Sequence, residues 1–223
     1  MTEAGWIRAG AIAGILYVLI GAAAGALTGA IPAAGSSAAT YQANFVEKQQ
    51  LLIVQAWLFP LAVPLLLMFS VAVRRILRRS SQYLSELFVI AQTVIAALLM
   101  VTMGLQFAVA QAAEVLDAQV VFTVGTHAEA IIIELFGFLT GTAAFAYAYC
   151  VFKDGVLPRW SAFPAILASS VCVAFTVAVF IRTGPFALEG GVSAFGPAVA
   201  TVLWYLSASI ALLGGDRRPH QIR

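Results

Sequence analysis

Residues 128–152 read AEAIIIELFGFLTGTAAFAYAYCVF, an apolar run that carries two carboxylates, Glu129 and Glu134. As a helix rising about 1.5 Å per residue, a run of this length exceeds the ~30 Å hydrocarbon core of a bilayer. A charge near the centre of such a helix costs roughly 2.5–3.5 kcal/mol on insertion scales, so it is normally turned toward protein and paired or protonated. Glu134 shares a helical face with Ala130, Gly137, Gly141 and Ala148, and small residues mark a face that packs on protein rather than lipid. The stretch therefore predicts a spanning helix with an inward-facing acid, and through it a polytopic helix bundle.

The rest of the chain has the same character. Hydrophobic residues make up 62% of the 223, charged residues only 10%, and the mean hydropathy is +0.97, values that no water-facing domain surface allows. Five further apolar runs join the first, giving spans at about 10–31, 51–73, 84–109, 128–152, 162–181 and 197–213 in one transmembrane domain over residues 1–223. The first run is longer than the apolar core of a secretory signal, so it is read as a retained helix. Gly21, Gly25 and Gly29 recur every four residues along it and predict a smooth packing stripe, as Gly137 and Gly141 do in the fourth span. Pro60 and Pro64 predict kinks in the second. Residues 32–50 read as a loop that turns helix-like at the interface. The third span is expected to continue as a helix through Glu114 and Asp117, and Val120–Val124 is a short β-prone run.

Charge fixes the expected orientation. With the N-terminus inside, Arg8, Arg74, Arg75, Arg78, Arg79, Lys153, Arg159, Arg217, Arg218 and Arg223 fall on the cytoplasmic side, leaving only Lys48 and Arg182 outside. Six helices with both termini cytoplasmic follow from the positive-inside rule. The arginines at 74–79 serve as a topology anchor on this reading. Tyr147, Tyr149, Phe152, Trp160 and Phe163 suit an aromatic belt at the inner interface. A net charge of +2 gives no reason to expect a nucleic-acid partner.

Enzyme chemistry finds little support. His127 and His220 are the only histidines, too few for a di-iron histidine box or a bis-histidyl haem. Cys150 and Cys172 lack metal-ligand spacing and read as small packing residues. There is no phosphate-binding loop, no GxSxG and no mid-membrane lysine, so neither cofactor nor metal is expected.

What remains is a polar site. Counting from Ala128 places Glu134 roughly 9 Å below the outer boundary, at a depth shared by Gln55 in span two, Gln106 in span three and Arg182 at the end of span five. With His127 and Glu129 at the helix entrance, these six residues are the candidates for an outward-facing ligand- or proton-binding pocket. The bland alternative is a Glu134 that hydrogen-bonds a neighbouring helix as structural glue. The expected function is a non-enzymatic binding or accessory subunit. The alternative is a small proton-coupled transporter that uses Glu134 as its protonatable residue. Expected partners are the bilayer and either a hydrophobic small molecule or another membrane protein.

Arg8, Ala9 and Gly10, followed by Gly14, Ile15, Leu16 and Tyr17, resemble the first helix of small uncharacterised bacterial integral-membrane families of unknown function, especially actinobacterial ones. The resemblance covers the first span and the general helix layout. It implies a multi-pass protein of the bacterial cytoplasmic (inner) membrane, no assigned activity, and no family site to carry over.

Overall fold

The computed structural model describes residues 2–29, 32–188 and 190–215. Ile31, Glu189, Arg217, Arg218, His220 and Arg223 lie outside the described residues. Among those described there is no strand, and six helical runs are long and apolar enough to cross a membrane. The chain is an all-α six-span bundle.

The helices, in order, are α1 (Glu3–Leu27), α2 (Ala38–Glu47), α3 (Gln49–Leu77), α4 (Gln82–Ala112), α5 (Ala118–Phe122), α6 (Glu129–Leu135), α7 (Gly137–Asp154), α8 (Ala162–Phe175) and α9 (Gly191–Gly215). A π-helical turn over Thr123–Ala128 joins α5 to α6, so the fourth span is a composite running from Ala118 to Asp154. Side-chain oxygens of Thr2, Ser37, Ser81 and Asp117 cap the N-termini of α1, α2, α4 and α5, each satisfying an amide that the helix leaves unpaired. Gly155, at φ +62°, ends α7 in the left-handed conformation that glycine adopts without penalty.

The spans close into a ring. Each packs on its neighbour in sequence, and α9 returns to α1. At one face Arg79 reaches Glu3 at 3.7 Å, Ser80 donates to Asp154, and Arg74 forks onto both carboxylate oxygens of Glu86. We call this the N-terminal face and its opposite the distal face. Side chains pointing away from the ring are apolar, among them Ile12, Trp57, Phe145, Phe163 and Phe180. Such an apolar exterior implies a lipid bilayer as surroundings.

Aromatic rings fill the centre. Trp204, wholly buried, meets Phe88, Tyr147 and Tyr205 edge-on or tilted, while Tyr205 also meets Tyr17 and Phe69. Tyr147 therefore belongs to the core, where its hydroxyl bonds Ser161 at 2.8 Å, and not to the interfacial belt expected for it. Tyr149, Trp160 and Phe163 are exposed.

The glycine stripe of α1 is also corrected. A Cβ at Gly25 or Gly29 would meet nothing within 4 Å, and one at Gly21 would touch only Phe59. The close approach lies lower on the helix: a Cβ at Gly14 would collide with Ser209 on α9 and come within 2.5 Å of Phe69 on α3. Four-residue spacing identifies a smooth face but not the level at which partners converge on it. Gly14→Val is accordingly expected to lower stability by about 1–3 kcal/mol through overpacking, whereas Gly25→Ala should raise it by up to about 1 kcal/mol through helix propensity. Thermal unfolding of the two variants in one detergent checks the contrast.

Two local expectations change at the distal face. Helix α4 stops at Ala112 and the chain turns before α5, so no helix continues through Asp117. Val120–Val124, β-prone by composition, is helical because Val121 is fully buried with Phe45 of α2 and Val109 and Ala110 of α4. Packing overrides a five-residue propensity.

Candidate functional site

At the distal face α2 lies across the end of the bundle. Tyr41 and Phe45, one turn apart, form its buried side, and Tyr41 also packs on Phe122 of α5. The Gln42 side-chain amide donates to the carbonyls of Ala113 and Leu116, at 3.0 and 2.7 Å. Gln49 does the same to Ala110 at 2.9 Å. The last carbonyls of a helix have no intrahelical partner; Gln42 ties α2 to the residues that follow α4, and Gln49, at the start of α3, caps Ala110 within it.

Beneath α2 lies a cavity of about 250 Å³, reached by residues from several helices and from the loop before α9. Its floor is a relay of amides. Gln106, 3% exposed, donates to Gln55 Oε1 at 2.7 Å, and Gln55 donates onward to the Ala24 carbonyl at 3.1 Å and to Thr28 at 3.4 Å. The relay ties α4, α3 and the C-terminal turn of α1 at one depth.

The acidic wall comes from the fourth span, which is interrupted there. Phe136 has ψ near 1° and breaks the run between α6 and α7. Directly after it, Gly137 is pressed against the backbone of α8: a Cβ there would sit 2.5 Å from the Cys172 carbonyl oxygen. Above it, the π turn sets Gly125 under Phe45 and Val109. Interruptions of this kind concentrate at functional sites. Between them, α6 presents Glu129, Ala130, Ile133 and Glu134 to the cavity.

Glu134 is 5% exposed. Among the described residues no side chain or amide hydrogen-bonds or ion-pairs with its carboxylate, and the same holds for the half-buried Glu129. The structure thus brings Glu134, Glu129, Gln55 and Gln106 to one cavity. Gln55 and Gln106 are bonded to each other and not to Glu134. His127 does not line the cavity; its ring tilts against Phe122 at 5.7 Å. Arg182 is exposed and not among the residues that line it; the fifth span ends in a 3₁₀ turn over Thr176–Phe180, and the chain leaves it through an extended Ile181. Gly141, like Gly137, faces α8 and accepts a bond from Ser169 at 2.9 Å through its carbonyl.

Two features were missed in reading the sequence. Tyr41, Asn44 and Phe45 of α2 join the lining, which the three-and-four spacing of 41, 44 and 45 could have indicated. The other is a file on α9 at every fourth residue, in which Ser193, Thr201, Tyr205 and Ser209 are polar and Pro197 is the exception. Thr201 lies 3.5 Å from Cys172 Sγ and Tyr205 donates to Gln92 Oε1 at 2.9 Å. Gln92 Nε2, Trp204 Nε1, Ser193 Oγ and Ser209 Oγ are buried without a partner.

A family model described as a domain of unknown function, DUF4386, matches residues 12–213. No curated protein and no solved structure matches the chain.

Proposed function

The chain belongs to the DUF4386 family, and from the geometry of its distal face we propose that it is a non-enzymatic binding or accessory subunit whose Glu134 pocket opens outward from a bacterial cytoplasmic membrane. The observation that carries this reading is Glu134 itself. A buried carboxylate with no protein partner is costly, and it is tolerated where something outside the chain supplies the missing interaction. Here the carboxylate borders a cavity, beside a second carboxylate and an amide floor. The cavity lies at the face opposite the arginines 74–79, which the positive-inside rule puts in the cytoplasm together with both termini.

A second reading, a small proton-coupled transporter, is favoured by two separate observations. The spanning helix that carries Glu134 is discontinuous, as helices at transporter sites commonly are. The file on α9 continues polar groups below the pocket, with donors lacking partners. On this reading Glu134 exchanges its proton with a substrate, and proteoliposome uptake depends on pH and vanishes in Glu134→Gln.

The pocket and its sidedness are tested together by thiol labelling. With Cys150 and Cys172 replaced by alanine, Thr126→Cys on the cavity wall is expected to react with a membrane-impermeant maleimide added to intact cells. A cysteine at Ser80, beside Asp154, should react only after the cells are opened. Labelling with the reverse sidedness, or none at Thr126→Cys in either preparation, overturns the outward pocket.

A further inference from the structure

Resting on the pocket reading above, we infer that the ligand is a small molecule or headgroup carrying a protonated amine next to an apolar body. The cavity's charged groups, among the described residues, are all of one sign. Glu129 and Glu134 contribute acceptor oxygens, and among the described residues that line the cavity there is no lysine or arginine. Gln106 adds a third acceptor, because its amide nitrogen is turned to Gln55 and its Oε1 receives no bond from a described residue. Gln55, whose Nε2 is committed to Ala24 and Thr28, has no amide donor to turn toward a ligand. Asn44, Thr28 and Thr126 add neutral groups that can donate as well as accept, but the only charges on the described lining are carboxylates, and carboxylates in a largely apolar setting select a positive charge.

Charge, ring chemistry and size agree. Tyr41 and Phe45 present aromatic surface to the same space, which favours an organic cation. No three His, Cys, Asp or Glu side chains cluster as metal ligands among the described residues, and two carboxylates without a third such group suit an ammonium better than a bare divalent ion. At about 30 Å³ per liquid water molecule, a cavity of about 250 Å³ holds roughly eight such volumes, enough for an ammonium and a small ring or short chain. Ile133 belongs to the wall and is itself half-exposed on the outer surface, so the amine could be free or belong to a lipid headgroup.

Isothermal titration of the full chain in dodecyl maltoside decides this. The probe is 2-phenylethylammonium, compared with neutral 2-phenylethanol and anionic phenylacetate. The ammonium is expected to bind at least tenfold more tightly than either, and Glu134→Gln to weaken it at least tenfold while leaving the alcohol unchanged. A short-chain phosphatidylethanolamine that displaces the probe identifies a headgroup as the source of the amine; failure to displace it identifies a free amine. If the alcohol or the anion binds as well as the ammonium, the amine inference is wrong, and the pocket stands when Ala130→Phe abolishes that binding. If none of the three binds, the amine inference also fails, and labelling at Thr126→Cys decides separately whether the pocket exists. Should Glu134→Gln fail to fold, Glu129→Gln supplies the loss of charge and Ala130→Phe the loss of space.

Discussion

Trp204→Ala is expected to lower the stability of the bundle by about 3–5 kcal/mol, the largest loss from any single truncation in the ring. Trp204 is wholly buried where α4, α7 and α9 converge, in contact with Phe88, Tyr147 and Tyr205. In a membrane the lipid side of a helix is as apolar as its protein side, so helix association relies on close packing more than on removal of apolar surface from water. Removing the indole sacrifices that packing where three spans meet, and helices cannot collapse into the space without disturbing the ring. Trp204→Phe is the control. The indole Nε1 has no partner, so phenylalanine loses no hydrogen bond and removes an unsatisfied buried donor; its cost should stay below about 1.5 kcal/mol. Thermal unfolding of both variants, followed by loss of monodisperse protein, gives the comparison. Equal losses would mean that the Nε1 position matters more than the volume.

The architecture was legible where a single physical cause acts over many residues. Twenty or so apolar residues in succession mean a spanning helix whatever packs beside it, and the matched family model covers nearly the whole bundle, residues 12–213. Legibility failed where a short window was read alone. Val120–Val124 is β-prone by composition, though too isolated to make a sheet, and its window alone does not indicate the helix in which Val121 is held by Phe45 of α2 and Val109 of α4. Depth alone assigns Arg182 to the pocket, but depth says nothing about rotation around the bundle, and Arg182 is exposed and not part of the lining. Gln55 and Gln106 share a depth as well, and they do meet. Their partner is each other, because an amide that can both donate and accept satisfies another amide more completely than a carboxylate could. The break at Phe136 has no sequence signal of the usual kind, neither proline nor a glycine pair. It becomes intelligible only with α8 in place, pressed against Gly137.

Glu134→Gln should make the ligand-free protein more stable by about 1–3 kcal/mol while weakening what the pocket binds. The two effects have opposite signs for one reason. A carboxylate with 5% of its residue exposed and no described partner contributes nothing to the fold that glutamine cannot supply, and glutamine removes the desolvation cost of the acid. Residues selected for binding often carry such a cost, which shows as increased stability when they are replaced. The structural-glue reading predicts the reverse: if Glu134 held a neighbouring helix, its replacement would leave that helix's polar group unsatisfied and cost about 1–3 kcal/mol. The neighbouring amides argue against glue, since Gln55 and the Gln106 amide nitrogen are engaged with each other and with the end of α1, and none turns a bond to Glu134. Gln106→Leu provides the calibration, because it does break a bond between spans and leaves Gln55 Oε1 without its donor; it should destabilise by about 1–3 kcal/mol. Unfolding of the three proteins in one detergent orders them as Glu134→Gln above the parent and Gln106→Leu below it. A Glu134→Gln protein that falls with Gln106→Leu would make the carboxylate part of the scaffold and remove the main support for a binding site at this end of the bundle.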